Sequence, residues 1–215
     1  EIQEARSKVD WKAVSVTKAN LIRIREGQFV DLGAVGKGIA CDSAYQILKT
    51  SSVDSAVLSV AGSVLLYGKN PNTDDGTWSV GIRDPKGDAN SYCGILTLPE
   101  GFVSTSGDYE KVLEYQGKKY HHILDPRTGY PAESGITSVT VVAPTGLLAD
   151  GLSTACFILG YSEDALKLLE QYQASAVFIK PDGSVYATGS LADKLQLTND
   201  SYMLKTDPPE RSGAQ

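Results

Sequence analysis

Hydrophobic positions along this chain follow two different periods, and each change of period marks the border of a predicted element. Alternating or β-branched apolar runs bounded by Gly, Pro, Asn or Asp predict strands. These runs lie at residues 56–62 and 64–67, in WSVGIRDP and SYCGILTLP, in two stretches of residues 102–124 with a turn at Gln116-Gly117, at 136–143, and in a closing hairpin at 176–189. A further hairpin is predicted at residues 21–30, around Glu26-Gly27.

Helical spacing appears in three other places. Apolar residues recur at helical intervals in residues 39–48, after the glycine-rich segment DLGAVGKG at 31–38. A second helix is predicted at residues 145–159, with Gly160 as its stop, and a third from Ser162 to Tyr172. The chain therefore predicts an α+β fold, in which mixed or antiparallel sheets pack against helices.

Length and composition change this picture little. A chain of 215 residues that is 41% hydrophobic can form one compact domain, which we assign to residues 1–198. Residues 199–215 are polar and contain prolines, which predicts a loosely held tail. The net charge of −6, without a dense basic cluster, argues against a nucleic-acid partner.

The sequence has neither a membrane-spanning or signal segment nor a cysteine pattern typical of disulfides. There is no apolar run of about eighteen residues, and the first residues lack the features of a signal peptide, so we expect the chain to begin inside a longer protein. Cys41, Cys93 and Cys156 are an odd number at wide spacing, which favours buried free thiols over disulfides or a zinc site.

The segment DLGAVGKG is the first candidate for chemistry. Its glycines would let backbone N–H groups approach a phosphate at the start of a helix, and Lys37 would add a full positive charge. The spacing fits neither a P-loop nor a GxGxxG fingerprint. A simple turn that packs a helix on a sheet explains the same glycines, so the segment alone leaves both interpretations open.

A second candidate is the polar stripe of LADGLSTA. Asp150 and Thr154 lie four residues apart on one helix face, and Ser153 is close to that face. Carboxylate and hydroxyl oxygens suit Mg²⁺ better than zinc, although a local hydrogen bond would also account for them.

The two histidines stand side by side in YHHILDPRTGYPA. Adjacent residues of a strand point to opposite faces, so His121 and His122 would have different environments. We expect His122 to face the site as a proton acceptor and His121 to be structural. The segment STSGDYE, with Ser106 and Asp108, is either a ligand-binding loop or an ordinary turn; a serine hydrolase is excluded because no GxSxG occurs.

Taken in order, DLGAVGKG, SVAGSVLLYG, STSGDYEK, YHHILDPRTGYPA and LLADGLSTACFILG make the chain resemble the ApbE family of FAD:protein FMN transferases, over about residues 11–195. The resemblance implies a tunnelling-fold-like α+β architecture. It also implies a Mg²⁺-dependent reaction in which FAD is cleaved, FMN is attached to a threonine of an acceptor protein through a phosphoester, and AMP leaves.

The resemblance assigns roles to individual residues. It implies Mg²⁺ ligands from the side chains of Asp150 and Thr154, with Ser153 nearby, and from the backbone carbonyl of Ala34. It implies that FAD is bound by a further set of residues, namely Asp31, Lys37, Ser106, His122 and Ile123. His122 is then the expected base for the acceptor hydroxyl, with Asp108 as the alternative.

Some family features differ here. Residues 61–64, Ala-Gly-Ser-Val, lack the acidic residue that often follows this glycine in the family. Members also carry an N-terminal segment with a Met-Gly-Thr motif that encloses the flavin, and we expect this segment to be missing here. The family context implies an extracytoplasmic lipoprotein, membrane-associated, that modifies subunits of electron-transport or sodium-pumping complexes.

Two alternatives to FMN transfer stay open. A Mg²⁺-dependent FAD pyrophosphatase would use water in place of the acceptor, and a non-catalytic protein would only bind FAD. Both would need the same phosphate and metal residues.

Overall fold

The computed structural model describes residues 1–211 and has the α+β architecture predicted from the sequence. Its α-helices are α1 (Ile2–Ser7), α2 (Gly36–Lys49), α3 (Gly146–Leu159) and α4 (Glu163–Gln171). Its strands are β1 (Ser15–Val16), β2 (Ile22–Arg23), β3 (Ser55–Val60), β4 (Ser63–Gly68), β5 (Trp78–Arg83), β6 (Tyr92–Leu98), β7 (Gly101–Gly107), β8 (Leu113–Tyr115), β9 (Lys118–Tyr120), β10 (Ser138–Ala143), β11 (Ser175–Ile179), β12 (Ser184–Ala187), β13 (Leu195–Leu197) and β14 (Met203–Leu204). Short 3₁₀ turns occupy Trp11–Ala13 and Gly189–Lys194.

A seven-stranded sheet forms the centre of the described residues, in the order β14-β12-β11-β10-β7-β4-β3. Every neighbouring pair is antiparallel except β12 and β14, which are parallel. Helices α2, α3 and α4 pack on one face, and the three-stranded sheet β13-β6-β5 covers the other.

Burial on both faces explains the long apolar runs of the central strands. Leu65 and Phe102 point toward the helices, whereas their neighbours Leu66 and Val103 point toward the smaller sheet. Because successive side chains of a strand alternate between faces, a strand covered on both sides needs apolar residues at every position.

The predicted helix borders agree with local capping chemistry. The Thr145 hydroxyl accepts a hydrogen bond from the N–H of Leu148 at the start of α3, and Gly160 ends the helix with a φ of 71°. Ser162 caps α4 in the same way, by accepting from Ala165. A side-chain oxygen at the N-cap satisfies an N–H that would otherwise lack a partner, and glycine adopts positive φ at little cost.

The predicted hairpin around Glu26-Gly27 is wrong. The hairpin in this part of the chain joins β1 to β2, and its turn at residues 17–21 has Asn20 at a φ of 58°. Its strands are only two residues long and both are exposed. The alternation of apolar and polar residues at 21–30 therefore does not mark a strand with one buried face, and it was a poor guide to the strand pairing. None of residues 1–37 is buried, and Trp11 and Phe29 are 78% and 95% exposed.

The expectation of a loosely held tail is also wrong for residues 199–211. β14 joins the central sheet, Tyr202 is buried, and Glu210 pairs with Lys180 at 3.2 Å. The tail was predicted from the polar composition of these residues, and composition gives no information about contacts with distant parts of the chain. The remaining tail residues, 212–215, lie outside the described part of the chain.

The expectation of buried free thiols is confirmed. Cys41, Cys93 and Cys156 are free and buried, and burial raises the pKa of Cys93 and Cys156 to about 12. Within residues 1–211, the helices are all too short or too polar to cross a lipid bilayer.

Candidate active site

A buried ion pair joins α3 to the start of α2. The Asp150 side chain is 1% exposed, and its Oδ1 lies 2.7 Å from the Lys37 ammonium, whose side chain is 33% exposed. A carboxylate taken out of water needs a compensating charge or strong hydrogen bonds. The pair therefore links two of the segments singled out in the sequence, DLGAVGKG and LADGLSTA.

The glycine-rich loop is shaped by this carboxylate. The N–H of Gly38 is one of the first N–H groups of α2, which have no partner within the helix, and it donates to Asp150 Oδ2 at 3.0 Å. No backbone N–H of residues 1–211 donates to the carbonyl of Ala34. The Ala34 oxygen is thus left available at the turn that carries Lys37. Asp31 shapes the turn before it, because its Oδ1 accepts the N–H of Gly33 at 2.6 Å.

Two glycines allow α2 and α3 to approach closely enough for these contacts. A Cβ on Gly38 would overlap the carbonyl oxygen of Gly146, and a Cβ on Gly146 would overlap that of Gly38. Asp42 reinforces the approach, since its two oxygens accept the N–H groups of Gly146 and Leu147 at 2.7 and 2.9 Å. A carboxylate at a helix N-terminus is favoured by the helix dipole as well as by these bonds.

Strand β7 completes the surroundings of Asp150. The Ser104 hydroxyl donates to Asp150 Oδ1 at 3.2 Å and lies 2.9 Å from the Ser63 hydroxyl on β4. Because Ser104 has a single proton and gives it to Asp150, Ser63 must be the donor in the second bond. Ser63, Ser104 and Asp150 form a buried chain of hydrogen bonds.

Sequence reasoning missed Asp42, Ser63 and Ser104. For Ser104 a signal was present, since it precedes Ser106 by two residues on β7 and so shares its face. Ser63 reaches Asp150 only through Ser104, so the sequence around it carried no signal of this contact. Asp42 lacked a signal, because its partners lie more than a hundred residues away.

A cluster of three hydroxyl groups lies between β7 and α3. Ser106 Oγ is 2.8 Å from Ser153 Oγ and 3.3 Å from Thr154 Oγ1. Ser153 and Thr154 also donate to the carbonyl of Asp150, at 2.8 and 3.4 Å. The sequence left two explanations for the polar residues of α3 open, Mg²⁺ binding and local hydrogen bonding. The local hydrogen bonds are present, and they lie next to the buried Asp150 carboxylate.

A cleft of about 790 Å³ opens just past the end of β7. Asp108 and His121 line it, together with Lys119 and Arg127. Burial raises the pKa of Asp108 above its ordinary value, although nearby His121 and Lys119 favour the charged form. A carboxylate of this kind is more basic than one in water, which suits it for proton transfer.

The two adjacent histidines have different environments, as expected. The His121 ring packs edge-on against Phe157 of α3 at 5.5 Å, its Nε2 lies 3.2 Å from the carbonyl oxygen of Ala132, and its buried Nδ1 lacks a hydrogen-bond partner within residues 1–211. His122 is exposed, and its Nδ1 lies 3.1 Å from the carbonyl oxygen of Glu110. The residue beside Asp108 in the cleft is thus His121.

The turn after the histidines is held by an aspartate and an arginine. Asp125 accepts hydrogen bonds from the Arg127 backbone N–H and guanidinium at 2.8–3.0 Å. These bonds from Arg127 lower the pKa of Asp125 and fix the DPRTG turn at one side of the cleft. The side chain of Ile123 belongs to the hydrophobic core at 5% exposure, so a contact with a ligand there would have to come from its backbone.

The structure thus brings together only some of the predicted residues. Lys37, Ser106, Asp150, Ser153 and Thr154 form one connected group, with the Ala34 carbonyl on the adjacent turn. Within residues 1–211, no hydrogen bond or ion pair connects that group to four further predicted residues: Asp31, Asp108, His122 and Ile123. In the same described part of the chain, His, Cys, Asp and Glu form no cluster of three or more that could hold a metal, so a cation at Asp150 would depend on hydroxyl and carbonyl oxygens.

Comparison with known proteins identifies relatives of this chain. The model of the ApbE family matches residues 1–179. An FAD:protein FMN transferase of Treponema pallidum is 34% identical over 217 residues, which cover 95% of this chain and 60% of that protein. One from Haemophilus influenzae is 31% identical over 84% of this chain and 52% of its own length.

Solved structures are similar over the same region. The crystal structure of the ApbE protein of Thermotoga maritima has a TM-score of 0.79 and 32% identity, over 90% of this chain and 62% of that one. The apo flavinyl transferase ApbE of Pseudomonas stutzeri has a TM-score of 0.72 and 30% identity, over 89% and 59%. The chain thus spans about 50–60% of the length of these relatives.

Proposed function

This chain belongs to the ApbE family, and from that premise we propose that it takes part in the transfer of FMN from FAD to a threonine of an acceptor protein. The phosphate of FMN would form a phosphoester with the threonine, and AMP would leave. The observation that carries the proposal is the buried pair of Asp150 and Lys37 between a glycine-rich helix start and a row of hydroxyl groups. This arrangement suits a pyrophosphate and its counterion.

The residues around Asp150 fit a magnesium ion chemically. The side chains of Asp150, Ser153 and Thr154 and the carbonyl of Ala34 are hard oxygen donors, which Mg²⁺ prefers. Two observations support the fit: the Ala34 carbonyl accepts no backbone hydrogen bond within residues 1–211, and the Asp150 carboxylate already attracts a cation, the Lys37 ammonium. Bound there, Mg²⁺ would neutralise charge on the pyrophosphate as the AMP group leaves.

The protein's own contribution is to position the pyrophosphate. Lys37 lies at the first turn of α2, whose N-terminus favours negative charge. Asp42 and the Gly38–Gly146 contact hold α2 against α3, so Lys37 and Asp150 stay in register. Phosphoryl transfer depends mainly on such positioning and on charge neutralisation.

The acceptor hydroxyl also needs a base. We assign this role to His122, with Asp108 as the alternative, and assign Asp31, Ser106 and the backbone of Ile123 to the surroundings of FAD. The raised pKa of Asp108 supports the alternative, while the exposure of His122 leaves its ring free to meet a partner protein. The acceptor would be a subunit of an electron-transport or sodium-pumping complex. On family grounds we place the protein outside the cytoplasm, anchored to the membrane by a lipid.

Product analysis tests the proposed function. The protein is incubated with FAD and Mg²⁺, with and without an acceptor protein that carries a target threonine, and nucleotides are separated by chromatography. Transfer predicts AMP together with protein-bound flavin, and only when acceptor is present. Free FMN and AMP without acceptor would identify a pyrophosphatase, and unchanged FAD in both mixtures would identify a binding protein. A matched reaction with EDTA tests the dependence on Mg²⁺.

A further inference from the structure

Three donors surround the Asp150 carboxylate, which is also the one carboxylate assigned to the metal. Oδ1 receives the Lys37 ammonium at 2.7 Å and the Ser104 hydroxyl at 3.2 Å, and Oδ2 receives the N–H of Gly38 at 3.0 Å. The Gly38 N–H belongs to helix backbone that is packed on Gly146, and the Ser104 hydroxyl is on a short, fully buried side chain of β7. Lys37 is the only donor of the three on a long, partly exposed side chain.

We propose that Lys37 and a divalent cation exchange on Asp150. In the metal-free protein the Lys37 ammonium neutralises the buried carboxylate; when Mg²⁺ binds, Lys37 leaves Asp150 and turns to the open side of the loop, where it meets the phosphate. The inference rests on the proposed function for the identity of the cation. It adds that Lys37 and the metal compete for the Asp150 carboxylate. A lysine that only bound phosphate would not compete with the metal in this way.

The reason for exchange is charge. With both cations on one carboxylate, an ammonium and a divalent ion would lie a few ångströms apart in a site that is shielded from water, where like charges repel strongly. One carboxylate cannot compensate three positive charges. The other nearby carboxylate, Asp42, is already engaged by the N–H groups of Gly146 and Leu147.

The geometry lets Lys37 leave without unfolding the site. Its side chain is one-third exposed, while that of Asp150 is buried, so the ammonium lies on the solvent side of the pair. Only side-chain rotation is required.

The first test measures Mg²⁺ affinity by calorimetric titration, without FAD. We expect Lys37→Met to bind Mg²⁺ about tenfold more tightly than the wild type, because the competing cation is gone. Without metal, the variant should unfold at a lower temperature than the wild type, and Mg²⁺ should raise its Tm more. Lys37→Arg keeps the charge and should keep the weaker affinity. Lys49→Met, at the exposed other end of α2, is the matched control and should not differ from wild type.

A second test needs no variant. Lysine residues of the wild-type protein are acetylated briefly with acetic anhydride, with and without Mg²⁺, and the extent at each lysine is read by mass spectrometry. Mg²⁺ should increase the labelling of Lys37 severalfold and leave Lys49 unchanged.

The outcomes distinguish this inference from the proposed function. Equal or weaker Mg²⁺ binding by Lys37→Met, or unchanged labelling of Lys37 in a wild-type protein that binds Mg²⁺, overturns the exchange and leaves the metal site intact. Absence of Mg²⁺ binding by wild type and variants overturns the metal assignment and the exchange together. If Lys37→Met does not fold, the labelling experiment on the wild-type protein still decides.

Discussion

Asp150 combines a structural and a proposed metal-binding role in one side chain. Its carboxylate joins the N–H of Gly38 and the ammonium of Lys37, both from the first turn of α2, and the hydroxyl of Ser104 from β7. A residue with this many partners holds the site together as well as supplying its charge. Substitutions at Asp150 should therefore change both metal affinity and stability, and the two effects can be measured separately.

We predict that Asp150→Ala abolishes Mg²⁺ binding and metal-dependent activity while the fold persists. Its free energy of unfolding should fall by about 1–3 kcal/mol, less than for a fully buried pair, because Lys37 can turn to water. Thr154→Ala should weaken Mg²⁺ binding less, since a neutral hydroxyl is lost. Calorimetric titration and urea unfolding provide both values, with Asp54→Ala, an exposed aspartate, as control. Full activity of Asp150→Ala at limiting Mg²⁺ would refute the metal assignment.

The two histidines should separate stability from turnover. His121→Ala removes the packing on Phe157 and the contact with the Ala132 carbonyl, so we expect a loss of about 1–3 kcal/mol in unfolding free energy. His122→Ala should leave stability within about 0.5 kcal/mol, because the side chain is exposed. If His122 is the base, the turnover of the His122→Ala variant should fall by a factor of about 10² to 10⁴. Equal and mild losses of turnover in both variants would instead favour Asp108.

At the residue scale, the sequence predicted site residues that lie close together along the chain and on the same face of one element. Asp150 and Thr154 were found because residues four apart on a helix share a face, and Ser153 because it lies beside them. Asp42 and Ser63 were not found, because their partners are distant in sequence and polar residues of these types are common at turns and surfaces. Which histidine faces the cleft depended on the exact end of β9, and sequence patterns define element ends poorly.

At the element scale, the approach of α2 to α3 is the feature that positions the site. Both helices were predicted from their apolar spacing, α2 over residues 39–48 and α3 over residues 145–159, although α2 begins three residues earlier, at Gly36. Their closeness was not predicted, because the DLGAVGKG segment was equally compatible with a phosphate loop and a packing turn. The structure gives its glycines a definite packing role: Gly38 faces Gly146, whereas Gly36 faces open space.

This difference provides a matched pair of substitutions. Gly38→Ala should push α2 away from α3 and lower the free energy of unfolding by about 3 kcal/mol or more, because the added Cβ meets backbone that cannot yield. It should also weaken Mg²⁺ binding, since the N–H of Gly38 is displaced from Asp150. Gly36→Ala should be neutral or stabilising by up to about 1 kcal/mol, as alanine favours a helix. Urea unfolding of both variants checks this, and similar losses for the two would contradict the close-approach argument.

On the scale of the whole molecule, the C-terminal segment ties the two principal sheets together. Asp84 follows β5 of the three-stranded sheet, and Tyr202 precedes β14 of the seven-stranded sheet. The Tyr202 hydroxyl donates to Asp84 Oδ1, and Asn199 donates to Oδ2 at 3.0 Å. No sequence period connects residues more than a hundred positions apart, which is why a polar segment was mistaken for a tail.

The charge of Asp84 makes this connection dependent on pH. Burial acts to raise the pKa of Asp84, but hydrogen bonds from Tyr202, the Lys86 N–H and Asn199 outweigh it, and the pKa lies below its ordinary value of 3.8. A carboxylate whose pKa is lower in the folded protein stabilises the fold above its ordinary pKa. That contribution is lost as the pH falls through about 4 toward the folded value, because the folded state must then bind a proton that it disfavours.

Tyr202→Phe tests this connection. The variant loses a hydrogen bond to a buried charge, so we expect its free energy of unfolding at pH 7 to be about 1.5–3 kcal/mol lower than in the wild type. The folded-state pKa of Asp84 should rise in the variant, so the difference between the two proteins should shrink as the pH falls from 5 to 3. Urea unfolding at several pH values measures both effects. Other aspartates with lowered pKa, such as Asp125, are unchanged by the substitution and cancel in the comparison.

Tyr172→Phe, at a half-exposed tyrosine, is the control for Tyr202→Phe. A difference that stays constant from pH 7 to pH 3 would show that the Tyr202 hydroxyl stabilises the molecule independently of the charge on Asp84.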